Sequence, residues 1–401
     1  MLNRVFKGFQ YRDFRIMWIG ACTSSIGTWM QIMAQSWLVL DLSHKAEYLG
    51  IDQFLGGIPI VLFSLFGGVF ADRTERQKIL IGSQVVQLSC AFLLAALFAM
   101  GVVRVEYIWA LSFIVGTAQS FGGPAYQALI PSLVKPEDLP NAIALNSIQF
   151  NLARVIGPML GGLALTALGA SWCFSLNGLS FIAVIVSLLI IRPHFVPTKT
   201  GESVLTSMKQ GFSFILKHGA MEGLIVLAFS MTLLAFPVIT FLPVFARNIF
   251  HGGPELYTIF LVCSGIGSIC GALIVAGKGK YAHQGRAALW MLIALGALLT
   301  AFALSRWLIL SCALIFIAGG MLLAVFTTIS SLVQMITADN MRGRVMSVYN
   351  VAFRGGMPIG SLVAGVLVDR FTAPVVLAWN GALLALLGLY FLTIQRKVAT
   401  L

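Results

Sequence analysis

The sequence predicts an all-α integral membrane protein: twelve transmembrane helices in two six-helix bundles. Three observations predict it. The 401 residues are 59% hydrophobic and only 10% charged, against roughly 25% charged for a soluble domain. Apolar runs long enough to span a bilayer recur twelve times along the chain. One long polar interruption divides them six and six. A mean hydropathy of +0.93 leaves more apolar surface than one soluble core can hide, so the outside must be apolar too.

In order, the expected spans are 14–40, 46–71, 79–100, 107–134, 140–166, 171–191, 222–248, 255–277, 287–304, 307–337, 343–367 and 373–394. At 1.5 Å per residue each crosses about 30 Å of hydrocarbon, some with tilt. Continuous rather than alternating runs exclude a barrel. Span one continues past the length of a signal-peptide core. Span two closes on GGVFADRTERQK, residues 67–78, where charge is concentrated. Span seven carries Pro237 and Pro243, which predict a kink. The forty glycines suit close helix packing.

The polar interruption sets the domains: an N-terminal bundle 1–191, a linker 192–221 and a C-terminal bundle 222–401. Pro193 and Pro197 break helix, and an amphipathic helix is expected over 204–217. With both termini cytoplasmic, nineteen of the 26 lysines and arginines fall in inner segments and five in outer loops. That is a positive-inside signal, so the net charge of +12 reflects topology and anionic lipid rather than nucleic acid. The six cysteines sit in or at the ends of spans with no CxxC spacing and read as small apolar residues. No metal or cofactor site is expected.

The halves echo each other. Shifted by 200, Ser147, Arg154, Pro158 and Ala164 fall on Ser347, Arg354, Pro358 and Ala364. Two six-span halves of equal orientation are parallel repeats about an axis along the membrane normal, with a cavity between them.

These residues resemble the major facilitator superfamily over nearly the whole chain. Gly68 to Lys78 is similar to that superfamily's loop motif between spans two and three. Gly157, Pro158, Gly161 and Gly162 in span five resemble the motif associated with exporters, with Ala153 where a further glycine is common. Gly27–Gln31, the stretch Phe121 to Pro131 and Met341–Met346 are similar to the branch containing the enterobactin exporter and macrolide efflux pumps.

The resemblance implies a conformational latch of Gly68, Asp72, Arg73, Arg76 and Lys78, with Arg342 and Arg344 at the start of span eleven. A carboxylate at the end of span two meets the negative end of the helix dipole, whereas the exposed N–H groups at the start of span eleven favour an anion. The alternative is a solvated loop that only sets topology.

Arg154 and Arg354 lie near the midplane, where a charge is expensive. Either they line the path and attract anionic or catecholate-type substrates, or they bond carbonyls near the proline kinks or bridge helices. Asp52 is the acid clearly within a span. It is a candidate for proton coupling, with Glu222 a weaker one. The other readings of Asp52 are a counter-ion to Arg354 and a place in an outer vestibule. The five histidines fall in loops, and span four lacks the intramembrane arginine of many proton antiporters of this superfamily.

Polar stripes suggest the path. Span one offers Ser24, Thr28, Gln31 and Gln35; span four Ser112, Gln119, Gly123 and Tyr126; span ten Thr327, Ser331 and Gln334. The alternative is hydrogen bonding between helices. The stripes, with Trp29, Phe121 and Phe236, suit a small amphipathic substrate.

The leading expectation is therefore a secondary exporter of a siderophore or drug-like molecule. It works by alternating access in the inner membrane as a monomer, with proton antiport as the driving force. An uncoupled facilitator, a lipid flippase or a non-transporting sensor are the alternatives. No HExxH, Walker lysine or GxSxG motif points to an enzyme.

Overall fold

The computed structural model describes residues 6–192, 204–278 and 283–401. Fourteen α-helices follow in order: α1 Arg12–Ser43, α2 Ala46–Arg73, α3 Arg76–Ala99, α4 Val105–Leu129, α5 Leu139–Ala167, α6 Ala170–Ile190, α7 Val204–Leu216, α8 Gly219–Ala235, α9 Pro237–Val244, α10 Pro254–Lys278, α11 Gln284–Leu304, α12 Leu308–Ile336, α13 Arg342–Phe371 and α14 Ala373–Thr393. No strand occurs among the described residues. Among the described residues ten helical stretches are long and apolar enough to cross a membrane, with α8 and α9 counted in one stretch, Gly219–Ile249. α1 and α4 are not among the ten, although they have 32 and 25 residues. Their serines, threonines and glutamines lower the mean hydropathy.

Chain punctuation follows local chemistry. Two glycines with φ of +69° and +88°, Gly101 and Gly169, end α3 and α5. At the first, Gly101 N–H bonds Phe98 O at 3.1 Å and Val102 N–H bonds Leu97 O at 3.1 Å, the closing pattern a left-handed residue permits. Pro237 has no N–H to continue α8, so that helix stops at Ala235 and α9 starts on the proline. A π-helical turn, Phe245–Ile249, follows. The expected kink in span seven is thus a break plus a π-turn. The expected linker helix is present as Val204–Leu216. Pro193 and Pro197 lie outside the described residues.

The chain divides into two compact units. Unit 1 is Met1–Leu42 with Ile58–Gly201, and unit 2 is Ser43–Gly57 with Glu202–Leu401. In unit 1 a core of Phe14, Met17, Leu133, Ala142, Leu145, Phe181, Val184 and Leu188 joins α1, α5 and α6. A Cβ on Gly157 would lie 2.5 Å from Trp29 Cβ and 2.8 Å from Ile26 O, and one on Gly161 3.0 Å from Met30 O. The exporter-type glycines therefore let α5 lie directly on α1, with Pro158 and Gly162 also buried.

Unit 2 uses the same device. A Cβ on Gly356 would sit 2.6 Å from Phe229 O, and Gly360 meets the backbone of Leu233, which brings α13 onto α8. α10 and α12 approach through Gly271 and Gly320, whose Cα lies 2.7 Å from a Cβ at 271. α11 meets α14 at Gly296, where Ala385 N is 2.6 Å from the added atom. α7 lays Gly211 against the Arg344 carbonyl of α13 at 2.6 Å on the same measure. Small residues allow the close backbone approach that dispersion and interhelical hydrogen bonds need in lipid.

Candidate transport path

Unit 1 gathers most of the polar groups picked out in spans one and four. Thr28 Oγ1 donates to Ser24 O at 2.9 Å. Gln31 Nε2 approaches Gln35 Oε1 at 3.4 Å, and Gln35 Nε2 donates to Ser112 Oγ at 2.9 Å. Gln31 Oε1 in turn accepts Asn177 Nδ2 at 2.6 Å. A chain of amides thus links α4, α1 and α6. Gln119 Oε1 accepts from Gln87 at 3.3 Å. Tyr126 donates its hydroxyl to Asn146 Oδ1 at 2.7 Å, with Gln149 Oε1 3.2 Å away. Gln149 bonds Ser25 Oγ at 2.6 Å and Ala21 O at 3.1 Å. The stripes of spans one and four do not include Asn177 on α6 and Gln149 on α5, which join those spans to their neighbours.

Arg154 stands apart from this network. Its guanidinium carbon lies 5.8 Å from the centre of the Trp29 ring, and Trp29 meets Phe150 edge-on at 5.9 Å. Among the described residues no carboxylate or carbonyl lies within hydrogen-bonding reach of it. Arg354 likewise shows no acceptor among the described residues and is exposed. Among those residues, neither arginine bonds a carbonyl near its proline.

Asp52 is 5% exposed on the stretch of α2 that belongs to unit 2, and it is engaged with a neighbour. Glu222 is exposed in the first turn of α8.

The residues of the charged motif separate into different environments. Arg76 Nη1 donates to Ala128 O at 2.8 Å, tying the start of α3 to the end of α4. Lys78 pairs with Glu75 at 3.0 Å in solvent. A Cβ at Gly68 meets nothing within 4 Å, whereas one at Gly67 collides with the Ser120 carbonyl. Close packing of α2 on α4 therefore falls on the glycine before the motif. The side chains of Asp72 and Arg73 lie outside the described residues. Arg342 pairs with Asp339 at 2.6 Å, and Arg344 Nη1 approaches Met341 Sδ at 3.4 Å.

In unit 2 a cavity of about 400 Å³ opens between α12 and the start of α13, lined by Phe326, Thr327, Ser330, Ser331, Gln334, Met335 and Arg342. It brings three expected path residues, Thr327, Ser331 and Gln334, together with an expected latch residue, Arg342. Among the described residues no group of three or more His, Cys, Asp or Glu could hold a metal ion.

A further polar cluster escaped the sequence. Asp138, before α5, receives Lys7 Nζ at 2.7 Å, Tyr11 Oη at 2.7 Å and Gln10 Nε2 at 3.0 Å. Gly8 N–H bonds Asn141 Oδ1 at 2.7 Å. Hydrogen bonding to Asp138 raises the pKa of both Lys7 and Tyr11, because it favours the ammonium and opposes loss of the phenol proton. The cluster clasps the segment before α1 to the start of α5.

The helical stretches able to cross a membrane make this a multi-pass membrane protein, and its family and relatives make it a transporter rather than an enzyme. The chain belongs to the transmembrane secretion effector family, whose profile matches residues 4–400, within the major facilitator superfamily. It is 27% identical over 388 residues to the staphyloferrin A transporter of Staphylococcus aureus, covering 93% of this chain and 94% of that protein. It is 27% identical over 369 residues to the enterobactin exporter EntS of Salmonella typhi, covering 89% and 86%. The nucleoside transporter NupG superposes with a TM-score of 0.75 at 16% identity, over 96% of this chain and 99% of that one. A bacterial homologue of the human lysosomal transporter Spinster gives 0.73 at 14%, over 96% and 97%. At such identities the structures speak for the fold alone.

Proposed function

We infer that the protein is a secondary active exporter of a small, anionic, amphipathic molecule of the siderophore class. Arg154 carries the inference. A cation that deep in a span is costly unless it meets an anion, and the described residues offer it an aromatic face but no acceptor. A guanidinium over an indole suits a carboxylate or catecholate attached to an aromatic or apolar body. Arg354, shifted by 200 residues, is the matching cation of the second half. The names of the two relatives, one a staphyloferrin A transporter and one an enterobactin exporter, support that chemical class.

In this reading α1 and α4 also cross the bilayer, which brings the count to twelve. At 1.5 Å per residue they are roughly 48 and 37 Å long, more than the hydrocarbon requires. Bundles 1–191 and 222–401, joined by 192–221, rock about a midplane site with both termini in the cytoplasm, and the monomer suffices. Asp72, Arg73, Arg76 and the start of α13 form the inner latch. The amides of Gln31 and Gln35 serve mainly to join helices, since each is already bonded to a neighbour. The proton gradient drives the cycle, with Asp52 the coupling acid.

The test is efflux from everted vesicles with a panel of siderophores and amphipathic drugs, with and without a pH gradient. Export of catecholate or carboxylate siderophores that Arg154→Gln abolishes supports the reading. Transport restricted to neutral or cationic drugs rejects it.

A further inference from the structure

The cavity of unit 2 is chemically asymmetric. Thr327, Ser330, Ser331 and Gln334 share one face of α12, at the spacing that places helical side chains side by side. Phe326 forms an apolar wall and is backed by Phe353, with ring centres 4.4 Å apart. Arg342 enters from the first turn of α13. Its partner Asp339 is 89% exposed, and so solvated a pair is weak and screened. A guanidinium has five N–H donors, so donors remain for a ligand. The first N–H groups of α13 lie at the same end, where a helix favours negative charge.

Tyr349 supplies an independent observation. It lies two turns along α13 from Arg342, is 1% exposed, and its hydroxyl has no hydrogen-bond partner among the described residues. Ser330, a residue of the cavity wall, is its polar neighbour. A buried hydroxyl without a partner is costly. Tyr349 does not itself line the cavity; Ser330 connects its hydroxyl to the wall.

We propose that this cavity is a capture subsite for an amphipathic carboxylate, with the carboxylate on Arg342 and the start of α13, polar substituents on Ser331 and Gln334, and an apolar or aromatic ring on Phe326. The proposal rests on the exporter reading and adds to it a second anion site, carried by the other unit from Arg154. Under that reading the cavity opens at the cytoplasmic end of the spans, where substrate arrives.

The experiment uses the full chain in lipid nanodiscs, with Ser331→Cys as a reporter. Alkylation of position 331 by N-ethylmaleimide is followed by peptide mass spectrometry. The probe is 2,3-dihydroxybenzoate, and catechol is its uncharged comparator. The acid should slow alkylation by roughly tenfold more than catechol does, the scale of one charge-assisted contact. Adding Arg342→Gln should remove the protection, Arg342→Lys should restore part of it, and Tyr349→Phe should weaken it. Arg154→Gln should leave it intact. Thermal unfolding of each variant separates loss of binding from loss of fold. Equal protection by acid and catechol, no protection at all, or protection that survives Arg342→Gln in a folded protein overturns the proposal. Flux in proteoliposomes keeps the two readings apart. Protection without flux retains the subsite and rejects the exporter, and flux without protection rejects the subsite alone.

Discussion

The guanidinium of Arg154 lies over the indole of Trp29, its carbon 5.8 Å from the ring centre, and these two residues sit on the pair of helices that Gly157 and Gly161 hold in backbone contact. The glycines fix the distance between α1 and α5, and that distance keeps the cation on the ring. The contact orients Arg154 without neutralising it. Arg154→Gln should therefore cut export by at least tenfold, about 1.4 kcal/mol, with little change in thermal stability. Arg154→Lys should lie between, since it keeps the charge and loses the planar fork. Initial rates in everted vesicles measure this, and a lysine variant with wild-type rates would remove the bidentate role.

Gly157→Ala should destabilise the protein. The added methyl meets Trp29 Cβ at 2.5 Å and the Ile26 carbonyl at 2.8 Å, and overpacking of this kind costs about 1–3 kcal/mol. Gly68→Ala makes the contrast. Its methyl meets nothing within 4 Å, and alanine is the better helix former by about 1 kcal/mol. Its Tm in detergent should equal or exceed that of wild type. A Tm drop at Gly68 as large as that at Gly157 would contradict the packing account.

Asp138→Asn should lower the Tm, because Lys7 and Tyr11 lose their common acceptor while Gly8 keeps Asn141. The effect of Lys7→Met should be smaller in the Asp138→Asn background than alone, as a double-mutant cycle on a contacting pair requires. Additive Tm losses would show that the two residues act separately.

Gln35→Leu tests the amide chain. Gln35 is bonded to Ser112 on α4, and such interhelical bonds contribute about 0.6 kcal/mol on average in membranes. The expected result is a slightly lower Tm with the KM for export within twofold of wild type. A large rise in KM with an unchanged Tm would return Gln35 to the substrate path.

What the sequence makes legible follows from which forces act locally. Ten of the apolar runs, the break at Pro237 and the helix Val204–Leu216 depend on neighbours within a few residues, and each stands where pattern places it. Gly157 and Gly161 were legible because a motif marked them. Gly356 and Gly360 do the same work on α8 without such a mark, and Gly67 makes the close contact beside the conspicuous Gly68. Asp138 carries no mark in the sequence because its partners lie more than 120 residues away. The stripes of spans one and four are polar in the sequence, but only the fold shows that their amides meet each other.

Asp52 provides the last test. An acid that is 5% exposed within a membrane helix is costly to keep charged unless a partner holds the charge, and Asp52 is engaged with a neighbour. A coupling acid must alternate between a charged and a neutral form as the two sides of the membrane take turns at access. An amide at this position stays neutral throughout the cycle. In Asp52→Asn, export down a substrate gradient should persist while acceleration by an imposed pH gradient disappears. Substrate-loaded proteoliposomes with and without a pH step give the comparison directly. Acceleration that survives the substitution would move coupling away from Asp52, and Glu222→Gln would then be measured in the same assay.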